Sequence, residues 1–303
     1  MTTTAWTASN NYLRSAFAAP AGPAPTLAQI RAHFAPAGRQ YPCPDDVAVV
    51  AVDAGGVPAH WFRAPHADDS GAVLYLHGGG YALGSAGTHG ELIARIARAS
   101  GLPVLAVDYR LAPEHPYPAA GQDARTAWQW LTTTRRLLPS RLGIAGDSAG
   151  GGLALALLLA LRDDQQPLPR AAALMSPWTD LTLSGASMTE QAGEDPVLSA
   201  GLLTHLAQDY LAGQDPTLPG ASPLYGDLTG LPPLLIQVGT AEILLSDSER
   251  LADRAREHGV EVTVQIEDGA PHIFPSLTEV PEAHLATTRL GAFLASATSA
   301  GAA

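Results

Sequence analysis

The stretch IAGDSAGG, residues 144–151, decides the fold of this chain. It begins as a short apolar run and is followed by LALALLLAL, so a strand before it and a helix after it are predicted. Ser148 stands between Gly146 and Gly150, the G-x-S-x-G spacing of a nucleophile elbow, whose strained turn lifts a serine hydroxyl above a sheet. A phosphate-binding glycine turn is the alternative, which the strand before and the apolar helix after disfavour.

The segments around this elbow alternate between strand and helix patterns. Two strands separated by a Gly-Gly turn, VAVVAVDAGG and AHWFRAP, come first. The short apolar runs AVLYLH, PVLAVDY, RLGIAG, AAALMS, PLLIQVG and EVTVQIE follow, most of them separated by helix-period segments. This alternation predicts an α/β protein with a parallel sheet buried on both faces. Ligands of such sheets bind beyond the carboxyl ends of the strands, so the residues after each strand are the candidates for chemistry.

One interval breaks the alternation. Between about residues 180 and 223 only polar turns and one helical stretch, LSAGLLTHLAQDYLAG, are present, which is typical of a lid or cap. The N-terminal piece TLAQIRAHF places Leu27, Ile30 and Phe34 on one helical face. We expect residues 1–303 to form a single domain with a cap built from about 1–42 and 180–222. The alternative, that the N-terminal face docks onto ordinary core, stays open.

A serine hydroxyl needs a base, and the base needs an orienting acid. His272, in EDGAPHIF, follows a late strand and completes the chain order serine, acid, histidine. The acid is expected after the strand LLIQVG, where Glu242 and Asp247 compete. Glu242 is favoured because it lies three residues beyond Gly239, whereas Asp247 stands where it could cap the next helix.

Composition limits the class of partner. The 303 residues carry a formal net charge of -12, which disfavours nucleic acids and anionic membrane surfaces as partners. The single cysteine, Cys43, provides neither an intramolecular disulfide nor a metal framework. The start MTTTAWTASNNYLRSAF lacks the basic and apolar regions of a secretory leader, and no apolar run reaches the ~20 residues of a membrane helix. A cytoplasmic protein acting on neutral small molecules is therefore expected.

Through four motifs together, the chain resembles the hormone-sensitive-lipase-like family of α/β-hydrolases, the bacterial family IV esterases. The motifs are HGGG at 77–80, DYRLAPEHPYPAA at 108–120, GDSAGG at 146–151 and GAPHIF at 269–274. The resemblance implies an α/β-hydrolase fold, with a mostly parallel central sheet flanked by helices and a helical cap. The family commonly has aspartate in a DPL-type stretch as the acid, and EIL from Glu242 replaces it here.

The α/β-hydrolase architecture suggests a function for the glycines of HGGG. The backbone amides of Gly78 and Gly79, with that of Ala149, are predicted to form an oxyanion hole. A glycine-rich phosphate cradle is the alternative, weakened by the missing lysine. His77 precedes the serine in the chain and is expected to brace the loop through hydrogen bonds.

Other residues are interpreted with less specific motifs. Asp147 resembles the family's aspartate variant beside the nucleophile, or it stabilises the turn. Tyr81 and Trp178 are the candidates for the substrate pocket, with packing as the alternative for Trp178. His89 and His205 are expected to be solvated, and Tyr109, Glu114 and Pro116 are expected to brace the floor of the site; these expectations follow from the same stretches.

The expected function is that of a serine carboxylesterase that hydrolyses short- to medium-chain acyl esters through an acyl-enzyme, with Ser148, Glu242 and His272 as the triad. No metal or organic cofactor is expected. A lactone hydrolase with the same triad is a close alternative, and a peptidase would normally call for a further gating domain. A non-catalytic small-ligand receptor on the same fold is an alternative from another class, disfavoured by the presence of His272. Family members are often dimers, so the resemblance leaves a homodimer open.

Overall fold

The computed structural model describes residues 6–16, 26–34 and 42–299. The strands in these residues are β1 Ala48–Asp53, β2 Pro58–Arg63, β3 Ala72–Leu76, β4 Val104–Val107, β5 Leu142–Asp147, β6 Ala171–Met175, β7 Leu234–Gly239 and β8 Val262–Glu267. The α-helices are α1 Thr7–Ala16, α2 Leu27–Phe34, α3 Gly90–Ser100, α4 Ala119–Gln129, α5 Ala149–Asp163, α6 Ser187–Glu190, α7 Ala200–Leu211, α8 Leu245–Glu257 and α9 Pro281–Ser299. Every strand predicted from an apolar run is present.

The eight strands form one sheet in the order β1-β2-β4-β3-β5-β6-β7-β8. Strand β2 is antiparallel to β1 and β4, and every pairing from β4 to β8 is parallel. Strands β3 to β7 are buried along their whole length, whereas β1 at one edge is largely exposed. Continuous apolar runs are buried on both faces in this way because helices cover both sides of a parallel sheet. The predicted mostly parallel α/β-hydrolase sheet is confirmed.

Alternation along the strands divides the core into two layers. On β3, Leu74 and Leu76 join one hydrophobic cluster, while Val73 and Tyr75 join the other. The first cluster includes the buried leucines of α5, and the second includes the apolar residues of α3 with Leu290 and Leu294 of α9. In the part of the chain that the structure describes, no helix combines the length and apolarity needed to cross a membrane.

The interval from 180 to 222 contains the helices α6 and α7 and no strand. Ser199 caps α7 by accepting a hydrogen bond from the Leu202 amide, which explains where this helix begins. In the N-terminal segment, Leu27 and Ile30 of α2 are partly buried against the main core cluster. Residues 1–5, 17–25 and 35–41 of the predicted cap, and the Phe34 side chain, lie outside what the structure describes.

The parallel strands all direct their carboxyl ends to the same edge of the sheet. The loops that leave β3, β5, β6, β7 and β8 there contain Gly78, Ser148, Ser176, Glu242 and His272, respectively. Candidate residues that are far apart in the chain are therefore brought together by the topology alone.

Candidate active site

Ser148 occupies a sharp turn between β5 and α5. Its backbone angles, φ 51° and ψ −123°, lie in a region that non-glycine residues rarely adopt, so the turn is strained as an elbow requires. The flanking glycines are needed by close approach, because a Cβ at Gly146 would overlap the carbonyl of Gly150, and a Cβ at Gly150 would overlap those of Leu76 and His77. The elbow interpretation of the sequence thus has a steric basis in the fold.

A continuous chain of hydrogen-bonding groups leads away from this serine. The His272 Nε2 lies 3.0 Å from Ser148 Oγ, and its Nδ1 lies 2.7 Å from Glu242 Oε2. All three residues are buried, with relative exposures of 5% for Ser148, 7% for His272 and 0% for Glu242. The three predicted side chains therefore meet in the order that proton transfer from serine to histidine requires.

The second oxygen of Glu242 is fixed by its own loop and by β6. Glu242 Oε1 accepts hydrogen bonds from the Gly239 amide at 2.8 Å and from the Ser176 hydroxyl at 2.7 Å. Ser176 Oγ in turn accepts from the amide of Ile273 at 3.0 Å, so one hydroxyl joins the acid to the histidine loop. Ser176 was missing from the sequence-based set, although its place directly after β6 could have indicated it.

Asp195 is a second site residue that the sequence did not reveal. Its Oδ2 accepts from the amide of Ile243, next to Glu242, at 2.8 Å, and its Oδ1 accepts from Val197 and Leu198, each at 2.8 Å. Burial raises the pKa of this carboxyl above its ordinary value. Asp195 belongs to the interval after β6, where no periodic pattern marks a single carboxylate as important.

The environment of His272 favours its charged form. Burial acts to lower the pKa of the imidazole, but the charge and hydrogen bond of Glu242, with smaller contributions from Asp195 and Asp147, raise it above 6.5. An imidazolium formed by taking a proton from Ser148 is thereby stabilised.

Asp247, the rival acid, has other partners. Its Oδ2 accepts hydrogen bonds from the amides of Thr179 at 2.7 Å and Asp180 at 2.9 Å, which ties the start of α8 to the loop after β6. Burial raises the pKa of Asp247 to about 7. Of the two carboxylates that the sequence left in competition, Glu242 is the one that contacts His272.

The glycine loop after β3 departs from the sequence-based expectation at its first residue. The Gly78 amide, predicted as an oxyanion donor, donates instead to Asp147 Oδ1 at 3.0 Å, so a buried carboxylate engages it. Gly79 and Gly80 follow with positive φ angles of 115° and 60°. Their amides, and that of Ala149 at the start of α5, have no acceptor among the described residues. The sequence could not show that Asp147 reaches across from β5.

His77 braces this loop, as the sequence predicts. Its Nδ1 donates to the carbonyl of Gly78 at 2.8 Å, and its ring stacks on Tyr109 with centroids 4.3 Å apart. The Tyr109 hydroxyl donates to the carbonyl of His77 at 2.7 Å. Burial, with the nearby charge of His89, lowers the pKa of His77 to about 4, so this ring is neutral near pH 7. Glu114, in contrast, lies at the surface and pairs with Arg31 of α2.

The expectation for His89 was wrong. Its side chain is 18% exposed, and its Nε2 faces the buried Asp147 carboxylate at 3.4 Å. A loop histidine is usually solvated, and this one, at the N-cap of α3, lies beside a charge that comes from the end of β5. His205, on α7, is exposed as predicted.

The two pocket candidates are deeply buried. Tyr81 is 1% exposed and stacks on Tyr210 of α7 at 3.8 Å, so it joins the glycine loop to the predicted cap. Trp178 is 0% exposed; its amide donates to the Ser148 carbonyl at 2.9 Å and its indole N–H to the Asp180 carbonyl at 3.2 Å. Both residues pack directly around the elbow. Among residues 6–16, 26–34 and 42–299, no group of three or more His, Cys, Asp and Glu could hold a metal ion.

The sheet order and the Ser148–His272–Glu242 arrangement define the class of the α/β hydrolases. A family model described as alpha/beta hydrolase fold matches residues 73–276. An acetyl-hydrolase of Streptomyces hygroscopicus is 46% identical over 259 residues, 85% of each chain. An esterase of Acinetobacter venetianus is 36% identical over 264 residues, again 85% of each chain.

A solved structure extends the likeness to nearly the whole chain. The crystal structure of an esterase from the bacterial hormone-sensitive lipase family superimposes with a TM-score of 0.93 at 40% identity, covering 98% of this chain and 99% of the other. The chain belongs to the hormone-sensitive-lipase-like esterases of the α/β-hydrolase fold. It is a carboxylic ester hydrolase, as its motifs imply.

Proposed function

We propose that the chain is a serine carboxylesterase that hydrolyses short- to medium-chain acyl esters through an acyl-enzyme, with Ser148, His272 and Glu242 as its triad. The observation that carries this proposal is the unbroken path from Ser148 Oγ through His272, 3.0 Å away, to Glu242, 2.7 Å further on. A buried hydroxyl, base and acid in this order make a serine nucleophilic near neutral pH.

In the acylation step, Ser148 Oγ attacks the ester carbonyl carbon while His272 Nε2 takes the hydroxyl proton. The tetrahedral intermediate collapses, the bond to the alcohol oxygen breaks, and the imidazolium gives that oxygen the proton. Water then attacks the acyl-enzyme with His272 as base, which releases the acid and restores Ser148. Glu242 holds Nδ1–H and stabilises the imidazolium throughout, because its other oxygen is fixed by Gly239 and Ser176.

The oxyanion donors are assigned to the amides of Gly79, Gly80 and Ala149. Gly78 is replaced in this set because its N–H already donates to Asp147. The other three amides have no acceptor among the described residues and flank the elbow from two segments. Preorganised donors of this kind stabilise the charge that develops on the carbonyl oxygen, and loss of one costs about 10²–10³ in turnover.

Close packing around the elbow supports a small acyl group. Ser148 is only 5% exposed, and near it Tyr81 packs between Trp178 and Tyr210, with ring centroids 6.1 Å and 3.8 Å apart. A relative named acetyl-hydrolase is consistent with this size. A cap from about 1–42 and 180–222 limits the chain length in this proposal, with the buried Tyr81 and Trp178 packed behind the surface of the pocket.

Two further properties remain predictions. A cytoplasmic location is proposed because the single cysteine, Cys43, makes folding independent of an oxidising compartment; cell fractionation tests it. A homodimer is proposed because members of the family are often dimers; light scattering of the purified chain tests it.

The experiment is a series of p-nitrophenyl esters from acetate to palmitate, assayed with the parent chain and with Ser148→Ala. We expect kcat/KM to be highest for acetate to hexanoate and to fall for the longer esters, with Ser148→Ala at background on all of them. Equal rates for palmitate and butyrate would contradict the chain-length preference. Hydrolysis by Ser148→Ala at the parent rate would contradict the serine mechanism.

A further inference from the structure

A buried polar cluster lies behind the glycine loop and takes no part in the acyl transfer described above. Its members are Tyr75 from β3, His77 from the loop after β3, His89 from the N-terminus of α3 and Asp147 from the end of β5. We name these four residues the loop-support cluster. Tyr75 and Asp147 are fully buried, and His77 is 2% exposed.

Asp147 connects this cluster to the glycine loop. Its Oδ1 accepts hydrogen bonds from the Tyr75 hydroxyl at 2.5 Å and from the Gly78 amide at 3.0 Å. A Cβ at position 78 would overlap Asp147 Oδ2, so the carboxylate approaches this closely only because the residue is glycine. The amides of Gly79 and Gly80 follow along the same backbone, and the orientation of the Gly78 peptide therefore sets the direction in which they point.

Both ring nitrogens of His89 face hydrogen-bond acceptors. Nε2 lies 3.4 Å from Asp147 Oδ2, and Nδ1 lies 2.9 Å from Thr88 Oγ1 and 3.2 Å from the Ser85 carbonyl oxygen. The Thr88 hydroxyl gives its own proton to the Ser85 carbonyl at 2.9 Å, so its oxygen is left to accept from Nδ1. A neutral imidazole donates from one nitrogen only, so this environment favours the imidazolium.

The surrounding charges agree with this protonation state. The titratable and charged groups around His89 are the other cluster members, Tyr75, His77 and Asp147, together with Asp108, Tyr109 and the Arg95 guanidinium that acts on Tyr75. Burial acts to lower the pKa of His89, but the negative charge of Asp147, 3.4 Å away, with Asp108 as a smaller contribution, raises it above 6.5. Burial acts to raise the pKa of Asp147, yet His89 and the Tyr75 hydroxyl bring it below its ordinary value.

We propose that Asp147 and His89 are positioning residues for the oxyanion loop: the carboxylate fixes the Gly78 peptide, and the imidazolium cancels a negative charge that would oppose the oxyanion. The proposal rests on the proposed function, since it assigns the oxyanion donors to the amides that follow Gly78. Charge cancellation matters because the reaction creates a negative charge beside this loop, in a site that excludes water.

The first test compares the parent chain with His89→Gln, Asp147→Asn and the double variant. The pH profile of kcat on p-nitrophenyl acetate is measured from pH 6 to 9, with rates divided by active sites titrated by an organophosphate. In His89→Gln we expect kcat to be about tenfold or more below the parent at the pH values where His89 of the parent is charged, with KM little changed, and the alkaline decline that loss of the His89 proton causes in the parent to be absent. His205→Gln, on exposed α7, should match the parent.

The double variant decides whether the effect is one of charge. Asparagine keeps an acceptor for the Gly78 amide and carries no charge. We therefore expect the double variant, in which Asp147→Asn is added to His89→Gln, to recover most of the activity that His89→Gln alone loses. A His89→Gln profile that matches the parent in rate and shape, or a double variant as slow as His89→Gln, would overturn the proposal.

A second variant keeps the test open if His89→Gln folds poorly. Asp147→Ala removes the acceptor of the Gly78 amide, and we expect kcat per titrated site to fall by about 10², with weaker binding of a trifluoromethyl ketone that mimics the oxyanion. If titrated Asp147→Ala sites turn over at the parent rate, the cluster serves stability alone and the proposal is wrong. Ser148→Ala, assayed per protein concentration because it has no serine to titrate, tests the proposed function separately, since only that variant bears on the nucleophile.

Discussion

The extra methylene of Glu242, compared with aspartate, lengthens the side chain that carries the triad carboxylate. Three residues after β7, the Glu242 side chain turns back so that Oε1 accepts from the Gly239 amide while Oε2 reaches His272. Asp247, five residues further along and inside α8, is engaged by the Thr179 and Asp180 amides of the loop after β6 and not by this histidine.

This difference gives a matched pair of substitutions. Glu242→Gln removes the charge that stabilises the imidazolium, and we expect kcat to fall by about 10³–10⁴. Asp247→Asn keeps an acceptor for the Thr179 and Asp180 amides and should retain most of the parent activity. The measurement is kcat on p-nitrophenyl butyrate with folding checked by circular dichroism. A folded Asp247→Asn with the larger loss would reverse the assignment of the acid.

The pKa of His272 predicts where activity is lost in acid. The base must be neutral, so kcat/KM falls as pH drops through the pKa of His272 in the free enzyme. Because Glu242 raises that pKa above 6.5, we expect the midpoint of the acid limb to lie above pH 6.5. A midpoint at or below that value, measured with p-nitrophenyl acetate, would contradict the stabilised imidazolium.

At the residue level, motifs that fix the local backbone lead to side chains that meet in the structure. Ser148 and His272 follow from their motifs, and Glu242 follows from its distance to the strand end. Gly78 and His89 were misread because their common partner, Asp147, comes from a different strand, and no local pattern shows which of several amides a buried carboxylate will engage.

At the scale of elements, the junction of β5 with α5 depends on the space around two glycines. A Cβ at Gly150 would overlap the carbonyls of Leu76 and His77 in the neighbouring strand and loop, neither of which is a flexible side-chain end. By comparison, Gly121 in α4 has open space within 4 Å of its Cβ position.

We therefore expect opposite effects from the same substitution at the two positions. Gly150→Ala should force α5 away from β3, lowering the free energy of unfolding by about 2 kcal/mol or more and abolishing activity. Gly121→Ala should raise the free energy of unfolding by about 0.5–1 kcal/mol, because alanine is the better helix former. Urea unfolding and esterase assays of both variants provide the measurement. A fully active Gly150→Ala would refute the steric account of the elbow.

The strands were predictable because five of them are short apolar runs buried on both faces, and α7 was predictable from its period. The pairing order was not available from any single run. Only the topology reveals that Ser176 after β6 meets Glu242 after β7 and the amide of Ile273 after β8.

At the scale of the whole molecule, α1 joins two loops of the site. Trp6 is 1% exposed and packs edge-on against Phe274 at 5.4 Å, while Asn10 donates to the Gly269 carbonyl at 3.0 Å, so both contacts fall on the histidine loop. Arg14 donates to the carbonyls of residues 193 and 194, immediately before Asp195. The N-terminal segment 6–16 thus contacts both the loop that carries His272 and the segment that leads to Asp195, which in turn accepts from the Ile243 amide beside Glu242.

We expect Trp6→Ala to destabilise the loop that carries His272 and the segment that leads to Asp195. Truncating a buried tryptophan costs about 3–5 kcal/mol, and here the loss falls on the docking of α1 and on the histidine loop. The melting temperature and kcat should both fall, whereas Ser15→Ala, an exposed position on the same helix, should leave them unchanged. Thermal unfolding with parallel assays checks this. An unchanged kcat in Trp6→Ala would show that α1 does not support the site.

The most direct test of the central claim is to trap the acyl-enzyme. The parent chain is mixed with p-nitrophenyl butyrate, quenched in acid during the first turnover and digested for peptide mass spectrometry. We expect one butyryl group on the peptide that contains Ser148, formed together with one equivalent of p-nitrophenol, and none in Ser148→Ala. Turnover at the full rate with no acyl group on Ser148, or with the group on another residue, would contradict the account.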